Sequence, residues 1–162
     1  MNPTIDPPPL RLLADGMLGR LTRWLRILGY DTVYAPDTDD TELLRIARAQ
    51  DRVLLTADHG LAVRRGARIL LIEAQDLAGQ LRQVHTALGP PPGDELSRCV
   101  VCNGKLVHVD KSMLVDRLPP YVFTTQEEFR CCPDCGRIFW SGTHVEKMRA
   151  MLNAQRATRE SS

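Results

Sequence analysis

Two C-x-x-C pairs, Cys99-Val100-Val101-Cys102 and Cys132-Pro133-Asp134-Cys135, are separated by 29 residues and constrain the second half of this chain more than any other feature. Each pair is followed by glycine within two positions, Gly104 and Gly136, where a tight turn lets backbone amides point at the thiolates. Four soft thiolates in this arrangement suit a closed, tetrahedral structural zinc site. Redox chemistry at a C-x-x-C pair is the competing reading, disfavoured because two such pairs occur in one small segment. The fifth cysteine, Cys131, could replace Cys132, but the C-P-x-C-G turn favours Cys132. An odd cysteine count points to a reduced compartment. The opening residues 1–9, with four prolines, have neither the basic start nor the apolar core of a secretory signal, so a cytoplasmic location is expected.

Gly89-Pro90-Pro91-Pro92-Gly93 is the strongest internal break, because three prolines and two glycines cannot continue a helix. The expected organisation is a disordered leader at 1–9, an α/β domain at 10–88, a Pro/Gly linker at 89–95 and a zinc-ribbon module at 96–150. A helix end and polar tail follow at 151–162. The module has few large apolar side chains, so metal binding is expected to supply much of its stability. In a chain that is 43% hydrophobic and 25% charged, apolar residues recur in periodic runs, which excludes general disorder. No apolar run approaches the ~20 residues of a membrane-spanning helix.

In the first segment, short apolar runs alternate with helical periodicity. Strands are predicted at residues 10–14, 32–35, 52–56 and 67–72, and helices at 17–28, 42–49, 61–65 and from Leu77 to Leu88. The first helix carries a stripe of Leu18, Leu21, Leu25 and Leu28, and Gly29 is positioned to end it. Such alternation predicts an α/β fold with a mostly parallel sheet covered by helices on both faces.

Acids fall repeatedly just after the predicted strands: Asp15 after the first, Asp37, Asp39 and Asp40 after the second, Asp58 after the third, Glu73 after the fourth. In a parallel sheet those carboxyl ends share one edge, where ligands bind. Converging carboxylates repel one another unless a cation neutralises them, so Asp15, Asp40 and Asp58 together predict a Mg²⁺ or Mn²⁺ site able to activate water and clamp a phosphate. Against this stands helix capping, for which Asp is well suited. Asp39 with Glu42 fits a capping box, and Glu42, Glu73 and Asp76 are candidates for a fourth acid. Lysine is absent before Lys105, which excludes a P-loop and counts against a phosphoacceptor receiver domain, and Gly16-Met17-Leu18-Gly19 lacks the Rossmann glycine spacing.

Arg20, Arg23 and Arg26 recur every three residues beside the leucine stripe. A solvated face is the bland reading; phosphate binding by Arg20 and Arg23 is the sharper one. Trp24 reads as a core or interface aromatic and His59 as a surface residue. In the cysteine segment, Lys105, Lys111, Arg117, Arg130 and Arg137 are candidates for a basic face; Phe139, Trp140 and His144 could contact bases, but packing against the other module is the favoured reading of the aromatics.

The segments Leu13-Ala14-Asp15-Gly16-Met17-Leu18-Gly19-Arg20-Leu21, Trp24-Leu25-Arg26 and Leu28-Gly29-Tyr30-Asp31 resemble the opening of the Mut-seven C-terminal (Mut7-C) ribonuclease family. So do Asp40-Thr41-Glu42-Leu43-Leu44, Leu54-Leu55-Thr56-Ala57-Asp58, Cys132 to Trp140 and Gly142-Thr143-His144. The resemblance spans about residues 10–150. It implies a PIN-like nuclease domain fused to a zinc ribbon, cutting single-stranded RNA with acids around Mg²⁺ or Mn²⁺, and Asp15, Asp40 and Asp58 fall at the matching positions. Ala57-Asp58-His59 departs from the pattern, since family members often carry basic residues on both sides of that Asp. Two functions remain open from the sequence. One is a metal-dependent endoribonuclease, a toxin being a variant of it; the other is a non-catalytic RNA- or ribosome-binding adaptor in which the ribbon does the work. RNA is the expected partner, no membrane is expected, and the oligomeric state is left open.

Overall fold

The computed structural model describes residues 7–142 and 146–150. The leader's residues 1–6, His144 and the tail at 151–162 lie outside these. The first part of the chain runs β1 (Arg11–Asp15), a 3-10 turn (Gly16–Leu18), α1 (Gly19–Ile27), β2 (Asp31–Ala35), α2 (Asp40–Ala49), β3 (Val53–Thr56), α3 (His59–Ala62), β4 (Ile69–Leu71) and α4 (Leu77–Leu88). The four strands form a wholly parallel sheet in the order β2-β1-β3-β4. This is the predicted α/β architecture, with helices on both faces.

The sequence explains the layering. Central strands β1 and β3 are sealed on both sides, so LLA and VLLT read as continuous apolar runs rather than alternating ones. One face packs Leu12, Ala14, Val53 and Leu55 under the leucine stripe of α1 and under Leu81 and Val84 of α4. The other packs Leu13 and Leu54 under Leu43, Leu44 and Ala47 of α2 and Leu61 of α3. Each fully buried leucine contributes roughly 2 kcal/mol by removal from water, and truncating one such as Leu25 costs about 2–5 kcal/mol. The edges differ by a residue or two from expectation. Asp15 is the last residue of β1, Asp40 opens α2, and the third helix starts at His59 rather than Leu61.

α1 ends as predicted at Gly29. The Gly29 amide donates to Arg26 O at 3.1 Å and the Tyr30 amide to Leu25 O at 2.9 Å, the paired bonds of a Schellman motif. Gly29 has φ +102°, and a Cβ there would lie 2.3 Å from the Gly93 carbonyl oxygen. The Pro/Gly segment thus folds back onto the end of α1. Just beyond it, the Leu96 amide donates to Ile27 O at 2.8 Å.

The cysteine segment forms a three-stranded antiparallel sheet in the order β5-β6-β7, from β5 (Val107–Val109), β6 (Phe129–Cys131) and β7 (Ile138–Phe139). Between β5 and β6 lie a 3-10 turn (Lys111–Leu114) and α5 (Pro120–Thr125), neither of which stands out in the sequence. Residues 146–150 are helical, and Met148 packs against the core beneath α1 and α4.

Candidate metal sites and nucleic-acid interface

The strand order β2-β1-β3-β4 means that the chain leaves β1 in one direction and later returns to its other side. Between β1 and β3 the connections diverge, and in a parallel sheet that is where a crevice opens at the carboxyl ends. Asp15 ends β1 and is 7% exposed. Its Oδ1 accepts the Met17 amide at 3.1 Å, and its Oδ2 accepts the Thr56 hydroxyl at the end of β3. Thr56 Oγ1 in turn accepts the Asp58 amide at 3.0 Å. One threonine therefore ties the positions of Asp15 and Asp58 together across the two central strands.

Asp58 is exposed, and its Oδ1 caps α3 by accepting the amides of Gly60 at 2.7 Å and Leu61 at 3.3 Å. Asp40 is half-buried in the first turn of α2, with Oδ2 3.9 Å from Arg64 Nη1. Among the described residues the three carboxylates do not gather into one set with all ligand atoms within 4.8 Å; the four cysteines alone do. Capping accounts for several acids. Asp39 accepts the Glu42 amide at 2.9 Å and Asp76 the Gly79 amide at 3.2 Å. The reciprocal half of the Asp39–Glu42 capping box is not formed, because the Glu42 carboxylate is held bidentately by Arg45, at 2.8 and 2.6 Å, which keeps Glu42 below its usual range. Of the three candidate fourth acids, only Glu73 offers a carboxylate that accepts no hydrogen bond among the described residues.

Cys99, Cys102, Cys132 and Cys135 bring their Sγ atoms within 4.8 Å of one another. Cys99 and Cys135 stand 3.6 Å apart and Cys102 and Cys132 3.4 Å apart. These spacings are far too long for disulfides and close to the edge of about 3.8 Å that four Zn–S bonds of ~2.3 Å define in a tetrahedron. Backbone amides aim at the sulfurs as expected of the glycine turns. Gly104 serves Cys102, and Arg137 serves Cys135 and holds its thiol below the usual range. Opposing the Gly104 amide, burial and the neighbouring thiols push Cys102 up to about 12, and burial raises Cys99. Closely packed thiols that resist ionising are those a divalent cation would relieve. The residues fit zinc, and Cys131 lies on β6 outside the group.

The three-arginine row on α1 splits in two. Arg20 and Arg23 are exposed, whereas Arg26 is 7% exposed. Arg26 Nε donates to Thr32 O at 2.8 Å, and Nη1 donates to the carbonyls of Val100 at 2.9 Å and Val101 at 3.1 Å inside the first cysteine knuckle. Burial pulls this guanidinium down from its usual range, and Cys99, Cys102 and Asp31 pull it back up. A cation beside a tetrathiolate site offsets the net negative charge of the filled site. Asn103, next to Cys102, bonds Asp31 and the Thr32 amide at the start of β2. The anchoring roles of Arg26, Asp31 and Asn103 are not apparent in the sequence, because each depends on contacts between segments far apart along the chain.

The basic face expected of the cysteine segment is divided. Lys111 is drawn to Glu127 at 3.2 Å and lies 4.9 Å over the Phe123 ring, and Arg130 donates to Leu96 O at 3.2 Å. Arg117 and Arg137 are exposed and face a groove shared with α1. Trp24 packs partly on the core, as expected of an interface aromatic, and also lines that groove.

These features define a class: a parallel α/β domain whose acidic carboxyl edge is joined to a module with four cysteines placed to bind a metal ion. Residues 10–152 match the Mut7-C RNAse domain, and the chain belongs to that family. No curated protein and no solved structure matches it. No helix among the described residues is long and apolar enough to cross a membrane.

Proposed function

We propose that this chain is a PIN-like, metal-dependent endoribonuclease of the cytoplasm, in which Asp15, Asp40 and Asp58 hold Mg²⁺ or Mn²⁺ and Arg20 and Arg23 position the RNA backbone. The observation that carries this reading is the Thr56 hydroxyl, which joins Asp15 to the Asp58 amide where the two central strands end. The family's description as an RNAse domain supports it. Hard carboxylate oxygens suit Mg²⁺ or Mn²⁺, which when bound lowers the pKa of a water and offsets charge on the attacked phosphodiester. Asp15 is preoriented by burial and by two hydrogen bonds, so little ordering remains for it to undergo. Asp58 Oδ2 accepts no hydrogen bond among the described residues and is open to a cation or its water. Asp40 approaches from α2, and freeing it from Arg64 is a small step at a 3.9 Å separation. The exposed guanidiniums of Arg20 and Arg23 offer planar bidentate donors to phosphate. The zinc-loaded module stabilises the chain and widens the RNA-binding surface.

A second reading is favoured by the cap on α3, where Asp58 Oδ1 is already occupied by two amides. In it the chain is a non-catalytic RNA- or ribosome-binding adaptor. Purified protein incubated with single-stranded RNA and Mn²⁺ separates the two. The nuclease reading expects cleavage that Asp15→Asn and Asp58→Asn each reduce at least about 100-fold, as for loss of a metal-holding group. Salt-sensitive binding without any Mn²⁺-dependent cleavage supports the adaptor instead, and equal cleavage by both variants marks a contaminant.

A further inference from the structure

A groove runs along α1 and across onto the cysteine module. Its two ends, of about 820 and 620 Å³, share Arg23, Ile27, Val100, Val101 and Arg137, so they form one continuous channel. At one end Gly19 and Arg20 follow directly on the turn that Asp15 caps, and the Tyr34 hydroxyl there donates to Gly16 O at 2.8 Å. At the other end stand Arg117 and Trp140, with Arg137 lining the stretch between the two.

The charge of this channel is one-sided. Five arginines line it and no carboxylate does, although the whole chain is close to neutral at +1. Among the described residues Arg20, Arg23, Arg117 and Arg137 form no ion pair, while arginines elsewhere (45, 52, 64, 98 and 149) do. Both tryptophans of the chain, Trp24 and Trp140, also line it. Unpaired guanidiniums alternating with aromatic rings match a ligand that repeats anion and flat ring at short intervals. Trp24 also packs on the core and Trp140 lies edge-on to Phe129, but both line the groove, where a polyanion without rings gains nothing from them and a duplex, with its bases stacked inside, offers them none.

We propose that this groove is the path of a single-stranded RNA leaving the acidic edge, with phosphates held by Arg20, Arg23, Arg117 and Arg137 and bases stacked on Trp24 and Trp140. The proposal rests on the reading of the chain as acting on RNA, and it adds that the cysteine module grips the same strand. α1 runs about 13 Å over nine residues along this groove, so a substrate must extend past the acids to reach Arg117 and Trp140.

Binding measured on the zinc-loaded full chain without Mg²⁺ or Mn²⁺ tests this apart from cleavage. Single-stranded oligouridylate is expected to quench tryptophan fluorescence to saturation. Arg117→Ala with Arg137→Ala, checked for retained zinc, is expected to lower the slope of log affinity against log salt by about 1.4, the share of two single-strand phosphate contacts. Arg137→Ala alone, whose side chain makes no hydrogen bond among the described residues, guards against loss of the Arg117–Gly136 contact. It is expected to give half that change. Trp140→Ala is expected to weaken binding about fivefold or more, as for one lost stacked base. Arg82→Ala on α4 is a charge-matched control with no expected change. Unchanged affinity and slope in the arginine variants overturn the groove, even if the wild type cuts RNA normally. Equal binding of duplex RNA, inorganic polyphosphate or anionic phospholipid vesicles, with the same quenching, also overturns it. Groove-dependent binding by a protein that never cuts RNA leaves the groove standing and removes only the nuclease reading.

Discussion

Asn103 holds Asp31 across the boundary between the cysteine module and the parallel sheet. Its Nδ2 donates to Asp31 Oδ1 at 2.7 Å while its Oδ1 accepts the Thr32 amide at 3.0 Å. Asp31 is shared further, with Arg52 at 2.8 Å and Arg98 at 3.5 Å. The residue beside Cys102 is thereby fixed to the first residue of β2. With Arg26 reaching the carbonyls of Val100 and Val101, the two halves behave as one docked unit despite the prolines between them.

Asn103→Ala leaves the Thr32 amide without its acceptor, at about 1–3 kcal/mol, and removes one hydrogen bond from Asp31, which keeps Arg52 and Arg98, at about 1 kcal/mol; the variant is expected to lose roughly 2–4 kcal/mol in urea denaturation. Faster hydrogen exchange in β5 and β6 than in β1 and β3 is the expected pattern; a uniform change across both sheets refutes a boundary effect.

Asp31 also makes stability depend on pH. Burial alone would raise its carboxyl, but hydrogen bonds from Asn103 and Arg52 and the charges of Arg52 and Arg98 hold it below the usual range. The unfolded chain therefore takes up this proton more readily than the folded one. The resulting stabilisation is complete above the ordinary aspartate pKa of about 3.9 and is lost as pH falls through the lower folded value. Unfolding free energies between pH 6 and 2 are expected to fall less steeply for Asp31→Asn than for the wild type. Parallel curves would show that the carboxylate contributes nothing.

Removing the metal tests how the halves depend on each other. A strong chelator is expected to abolish protection of the amides in β5–β7 while most helical ellipticity, which comes from α1, α2 and α4, survives. Loss of all circular-dichroism signal in one step would mean that the sheet cannot stand without its module.

Gly29→Ala meets two penalties together, a left-handed φ of +102° and a Cβ 2.3 Å from the Gly93 carbonyl. Backbone against backbone cannot yield as a flexible side chain would, so about 3 kcal/mol or more is expected to be lost in thermal unfolding. Gly136→Ala serves as a comparison, with φ +76° but nothing within 4 Å of the added carbon. It is expected to lose less, and equal losses would mean that the Gly93 approach is immaterial.

Much of this was legible in the residues. The leucine stripe of α1, the glycine that ends it and the continuous apolar runs of β1 and β3 are local signals. The four cysteines carry their own spacing, and Cys132 rather than Cys131 joins the group as the turn suggested. What the sequence concealed depends on long-range geometry. Thr56 gains its meaning only when β3 lies beside β1, and Arg26 differs from Arg20 and Arg23 only because the knuckle docks over the last turn of α1. The basic face failed as a single surface because Lys111 and Arg130 found partners within the module. The segment between β5 and β6, residues 110–128, is weakly patterned, so its turn and α5 follow from tertiary packing rather than from periodicity.

Arg26 shares one helical row with Arg20 and Arg23, yet it is bolted to the knuckle while they are free. The azimuth of α1 is set by its buried leucines and pinned again at the far end, where Arg26 reaches two carbonyls of the first cysteine knuckle. The module's bearing on the parallel domain is thereby registered to the same helix that carries the two outward guanidiniums.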